Sequence, residues 1–230
     1  MSKIAVICAM DKEIIYIKEH FGAKLVDEKC SIYSAVFDGH EIIATVCGIG
    51  KVNSALSTQR IIDRFSPDYV INVGIAGGLD RELSVLDMVV ARDTMYHDFH
   101  PLSLLEEDKN IGTSVFECDK TLVALAEKVC ESLVEKGKVR KFVTGRIVSG
   151  DSFVEDDEKS RELREDLHGS CVEMEGASIS QTCIVNGIPF LVIRSISDFA
   201  DNNAGMSYDS FSTKASEQAG QVVAEIIKGL

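Results

Sequence analysis

The chain has 230 residues, 45% of them hydrophobic, and a formal net charge of -13. That length and apolar content describe one large folded domain spanning residues 1–230 and exclude a disordered chain. The negative charge excludes nucleic-acid backbone and an anionic membrane surface as partners, since both demand a positive footprint, and favours a small neutral or cationic ligand in a local pocket.

Short apolar runs alternate with segments of helical period. Residues 3–9 read as a buried strand and 11–20 as a helix, with Asp11 suited to its N-terminus. Residues 31–37 and 41–47 read as a hairpin turning at Asp38-Gly39. A helix over 50–65 follows, then a strand over 68–73 running into the glycine-rich 74–79, and another strand over 86–92. Residues 99–118 have no clear period. The pattern predicts an amphipathic helix over 119–137 stopped by Gly137, a strand reaching 149–151, and a charged helix over 155–166. A helix over 175–186, a strand over 189–198 and a last helix over 207–228 complete the chain. Strands separated by helices mean a mostly parallel sheet covered on both faces, with the hairpin adding an antiparallel element. The seven cysteines make no C-x-x-C pair, and several lie in apolar runs where a reduced thiol packs as a small core residue. Their odd number and the lack of a signal-peptide pattern point to a reducing cytoplasm. No apolar run is long enough for a membrane span.

In such sheets ligands collect at the carboxyl ends of strands, here residues 9–13, 47–51, 74–78, 149–154, 173–175 and 195–198. Glu173 and Glu175 flank Met174 just where a strand gives way to a helix. If the strand continues they share a face; if the helix begins at Glu175, its carboxylate meets a helix N-terminus. A carboxylate is also a two-pronged acceptor for vicinal ribose hydroxyls. Asp198 closes an apolar strand, where it either caps a helix, pairs with Arg194, or holds a proton for a leaving group if burial raises its pKa. Glu13 is either a solvated first-turn acid or the partner that deprotonates water; the two together would make a glycosidic hydrolase. The Gly48-x-Gly50 turn lacks the third glycine of a dinucleotide fingerprint. His97 and His100 have the i, i+3 spacing of metal ligands on a helix, but no further ligand cluster accompanies them. Phe153 and Tyr208 sit among polar residues, where a ring packs or stacks on a base.

Taken together, 9–13 (AMDKE), 48–52 (GIGKV), 72–79 (NVGIAGGL), 149–153 (SGDSF), 172–175 (VEME) and 194–198 (RSISD) resemble one family. It is the bacterial 5′-methylthioadenosine/S-adenosylhomocysteine nucleosidases, within the purine nucleoside phosphorylase-like superfamily; 207–211 (SYDSF) is also similar to that family's ending. The resemblance implies a three-layer αβα sandwich with a mixed, partly barrel-like central sheet, working as a cytoplasmic homodimer without cofactor or metal. By the same resemblance Glu13 activates the attacking water and Asp198 serves purine N7. The Val154 backbone reads the base edge, and Phe153 stacks on the purine. Met174 and Glu175 bind the ribose, with Glu173 beside them. Ser197 and Arg194 support this set, and Gly77 lies near the substrate. Met10, Ile49 and Tyr208 line the alkylthio and sugar pockets. Glu13 and Asn72 stand where related phosphorylases carry phosphate-binding cations, so hydrolysis rather than phosphorolysis is expected. Two positions depart from the family: Ile75 replaces its usual serine, and 99–118 lack its aromatic, glycine- and proline-bearing loop. These keep a hydrolase for another 5′ group, such as futalosine hydrolase, as the alternative, ahead of a phosphorylase or a non-catalytic nucleoside-binding homologue.

Overall fold

A computed structural model describes all residues, 1–230. Strand β1 (Lys3–Cys8) leads to helix α1 (Asp11–Phe21), followed by β2 (Lys24–Asp27), β3 (Ile32–Phe37), β4 (His40–Val46) and α2 (Lys51–Phe65). Next come β5 (Tyr69–Gly78), β6 (Met88–Tyr96), α3 (Ser103–Glu107), β7 (Phe116–Glu117) and α4 (Lys120–Glu135). The chain ends with β8 (Phe142–Ser149), α5 (Asp157–Glu165), β9 (Gly169–Glu173), α6 (Gly176–Asn186), β10 (Phe190–Asp198) and α7 (Ala204–Lys228).

All ten strands belong to one mixed sheet. Strands β5, β9, β8, β6 and β10 form a closed ring, because β10 pairs with both β6 and β5. From β5 an open arm runs outward through β1, β4, β3 and β2. The period-2 alternation of a strand splits β1 between two cores: Ile4, Val6 and Cys8 face α1, α4 and α7, while Ala5 and Ile7 face the side covered by α2 and α6. This is the three-layer sandwich with a partly barrel-like sheet that the sequence motifs imply.

Several boundaries differ from expectation. The glycine-rich stretch after Val73 is not a loop; β5 continues through Gly78 because β10 pairs along it and β9 takes over its other edge. The last helix starts at Ala204 rather than at 207. Residues 99–118 contain the short α3 and β7. The edge strand β2, KLVD, is too short to show alternation.

Register sets the site. Asp198 pairs with Gly77, Gly77 with Val172, and Ser149 with Glu173, so the ends of four ring strands lie at one level. The β10–β5 pairing shifts between Ile196 and Asp198, a bulge that re-aims the last side chains of β10.

Candidate active site

A cavity of about 490 Å³ opens over these strand ends. Met10, Glu13, Ile49, Gly77, Phe153, Glu173, Met174, Glu175, Ser197, Asp198 and Tyr208 all line it. Two expected residues lie elsewhere. Val154 borders a small adjoining pocket with Phe153, Met174 and Asp198. Arg194 is buried behind the wall. Ala76, Gly205 and Asp209 also line the cavity; Ala76 falls in the flagged strand end 74–78 and Asp209 in the motif 207–211, while Gly205 carries no motif. Gly205 is part of α7 because the helix begins earlier than its apolar period suggests, whereas Asp209 lies within the expected 207–228.

Glu13 sits in the first turn of α1 yet is buried, not solvated. Its Oε2 accepts the Ala9 and Met10 amides at 2.8 and 2.9 Å, and its Oε1 accepts the Ile75 amide at 3.1 Å. The carboxylate lies against Gly74, where a Cβ would stand 2.5 Å from Oε1, so a side chain at 74 would displace the acid. Burial pushes its pKa up, opposed by the Arg194 charge and the three amides.

Asp198 is likewise buried and does not pair with Arg194. Its Oδ2 accepts the Ser197 hydroxyl at 2.8 Å and its Oδ1 the Ala200 amide at 2.9 Å. Burial raises its pKa against these two bonds, the direction that favours holding a proton.

The neighbouring acids Glu173 and Glu175 have separate surroundings. Strand β9 stops at Glu173 and α6 starts at Gly176, so they do not share a strand face. Glu173, not Glu175, takes the helix N-terminus: its carboxylate accepts the Glu175 amide at 3.1 Å and the Gly176 amide at 2.8 Å. It also pairs with buried Arg194 and accepts from the Ser149 hydroxyl. Arg194 donates to Asn72 Oδ1 at 2.6 Å as well, so this inner network has little capacity left for a ligand. Glu175 meets only the Gly50 amide, at 2.7 Å through Oε1. Its Oε2 bonds to no protein group. Burial and the Glu173 charge push the Glu175 pKa up to about 8, opposed by the Gly50 amide and Arg194.

The opposite wall is aromatic. The Phe153 and Tyr208 rings meet edge to face with centroids 5.7 Å apart. The Tyr208 hydroxyl donates to Met10 Sδ at 3.2 Å and accepts from Lys12 Nζ at 2.7 Å. His97 and His100 lie on no helix, and no group of three or more His, Cys, Asp or Glu side chains is arranged to hold a metal ion.

Comparison with known proteins agrees with this fold. The family model described as the phosphorylase superfamily matches residues 3–228. The 5′-methylthioadenosine/S-adenosylhomocysteine nucleosidase of Staphylococcus carnosus is 36% identical over 99% of this chain and 100% of its own. The crystal structure of the Neisseria meningitidis nucleosidase of that name, in complex with methylthio-immucillin-A, is 35% identical with a TM-score of 0.91 and full coverage of both chains. Futalosine hydrolase of Helicobacter pylori is 32% identical with a TM-score of 0.88, covering 100% of this chain and 98% of its own. By sequence and fold alike, the chain belongs to the phosphorylase superfamily and, within it, to the family of 5′-methylthioadenosine/S-adenosylhomocysteine nucleosidases.

Proposed function

We propose that the protein hydrolyses the N-glycosidic bond of 5′-methylthioadenosine and S-adenosylhomocysteine, releasing adenine and the 5′-thioribose sugar. One observation carries the choice of hydrolysis: the cavity wall holds five carboxylates, Glu13, Glu173, Glu175, Asp198 and Asp209, and no lysine or arginine. A phosphate dianion has no cation to meet there, whereas positive charge developing on a ribose is stabilised. The nearby guanidinium, Arg194, is already engaged by Glu173 and Asn72.

In this reading the purine stacks on Phe153 and its edge meets the Val154 backbone. Asp198 delivers a proton to N7, because an unprotonated purine is a poor leaving group. Glu175 Oε2 accepts from the ribose hydroxyls. Glu13, held by three amides, takes the proton of the attacking water. Met10, Ile49 and Tyr208 contact the 5′ substituent.

The hydrolase for a different 5′ group stays as the second reading, favoured by Ile75, whose side chain is on the cavity wall in place of a hydroxyl. Incubation with a panel of nucleosides, with and without phosphate, tests both. Adenine and free thioribose released at a phosphate-independent rate are expected. Ribose 1-phosphate in the products overturns hydrolysis, and turnover of futalosine alone transfers the activity to the second reading.

A homodimer forms part of the proposal. Val52 and Leu56 on α2 and Val185 on α6, which packs beside it, are 69%, 60% and 51% exposed, an apolar face next to Ile49 at the cavity rim. A cytoplasmic location is supported by seven free cysteines, and no helix is long and apolar enough to cross a membrane.

A further inference from the structure

Three segments at the ends of different elements meet beside the cavity, only Ile49 among them lining it: 96–98 at the end of β6, 48–51 leading into α2, and 149–152 at the end of β8. Asp98 joins them. Both its oxygens lie 2.7 Å from Lys51 Nζ, and Oδ2 also accepts the Asp151 amide at 2.8 Å. Asp151 closes the circuit, since its Oδ1 accepts the Lys51 amide at 2.8 Å.

Each end of this circuit leads to a ligand-facing group. Gly50, next to Lys51, gives its amide to Glu175, and Phe153 lies two residues beyond Asp151. Gly50 has a φ of 95°, a backbone conformation that favours glycine, and a Cβ there would stand 2.9 Å from Asp151 Oδ1 and push that carboxylate off the Lys51 amide. The buried ring of His97 packs where a side chain at Gly150 would otherwise lie, holding the third segment close.

We propose that Asp98 is a positioning residue: with Lys51 and Asp151 it clasps the loop carrying Phe153 and Val154 to the loop that holds Glu175, so that base and sugar are gripped as one unit. This rests on the reading of the cavity as a nucleoside site. A partly exposed ion pair by itself contributes little to stability. Here Asp98 also fixes the Asp151 amide, and Asp151 in turn fixes the Lys51 amide, so the effect falls on the geometry of the loops, and a modest misplacement there costs binding.

The test compares Asp98→Asn, Lys51→Met and the double variant with the parent. Asp98→Asn is expected to raise KM for 5′-methylthioadenosine about tenfold, with kcat changed by less than about threefold. Asp98→Glu is expected to recover part of the loss. If the three residues act as one unit, the double variant has the KM of the worse single variant. In the ligand-free protein, amide hydrogen exchange in Asp98→Asn is expected to quicken in 48–53 and 150–154 together, and to stay unchanged in β1. A KM within about twofold of the parent, KM effects that multiply in the double variant, or faster exchange in only one of the two loops each overturns the clasp. If the parent hydrolyses no nucleoside, the functional reading fails while exchange still decides the clasp. Should Asp98→Asn fold poorly, Asp151→Asn carries the same two readouts.

Discussion

At the scale of single residues, the two adjacent acids show what spacing does and does not reveal. Glu173 and Glu175 are conspicuous in the sequence, but their division of labour depends on partners far along the chain: Arg194 and Ser149 for one, Gly50 for the other. Asp198 and Glu13 were legible as acids at strand and helix ends; their burial was not, because it comes from β5 and the Ser197–Ala200 turn. If Asp198 is the proton donor, Asp198→Asn should abolish turnover while circular dichroism and product binding stay close to the parent's. Retention of most of the kcat would remove it from that role. Glu175 makes a separate prediction about pH. Its ordinary value is 4.5, and in the folded protein it is raised to about 8, so the unfolded chain releases this proton first. The group therefore costs nothing below the lower value, costs increasingly as pH rises between the two, and costs a constant amount above the higher. Glu175→Gln should raise Tm over the parent by a margin that grows from about pH 4.5 to about pH 8 and then levels off. A margin that shrinks with rising pH contradicts the assignment, and the same variant should weaken ribose binding.

Among the elements, the long ones could be read directly. Helix α4 follows its apolar period, with Leu122, Ala126, Cys130 and Leu133 buried, and Asp119 caps it through the Thr121 and Leu122 amides at 2.9 and 3.0 Å. Asp119→Ala should cost about 1 kcal/mol in urea titration while leaving kcat unchanged, since the cap is remote from the cavity. Two-residue β7 and four-residue β2 were illegible because neither is long enough to display a period. The glycines of β5 misled for a different reason. Glycine disfavours a strand in isolation, and here tertiary needs override it: Glu13 lies against Gly74, and Asp198 lies against Gly77.

For the whole molecule, alternation of strand and helix predicts a covered, mostly parallel sheet, but five of the ten strand pairings are antiparallel, and ring closure through β10 and β5 is a pairing between distant segments that no local pattern encodes. It was reached through the family resemblance instead. The proposed dimer belongs to this scale too. Leu56→Glu places a charge in the middle of the apolar α2–α6 face and should convert a dimer into single chains by light scattering. An unchanged mass would move the interface elsewhere.

The ring has a consequence for how the protein can vary. Glu173 and Asp198 end strands that belong to the same closed circuit, so neither can drift relative to the other without strand pairings breaking. The segment 99–118 lies outside that circuit and pairs with it only where the short β7 runs beside β6. Asp198, the proposed proton donor, is thus mounted on the stiff part of the molecule, and this segment can be rebuilt around its buried Leu105, Phe116 and Cys118 while the distance between the two acids stays as the strands set it.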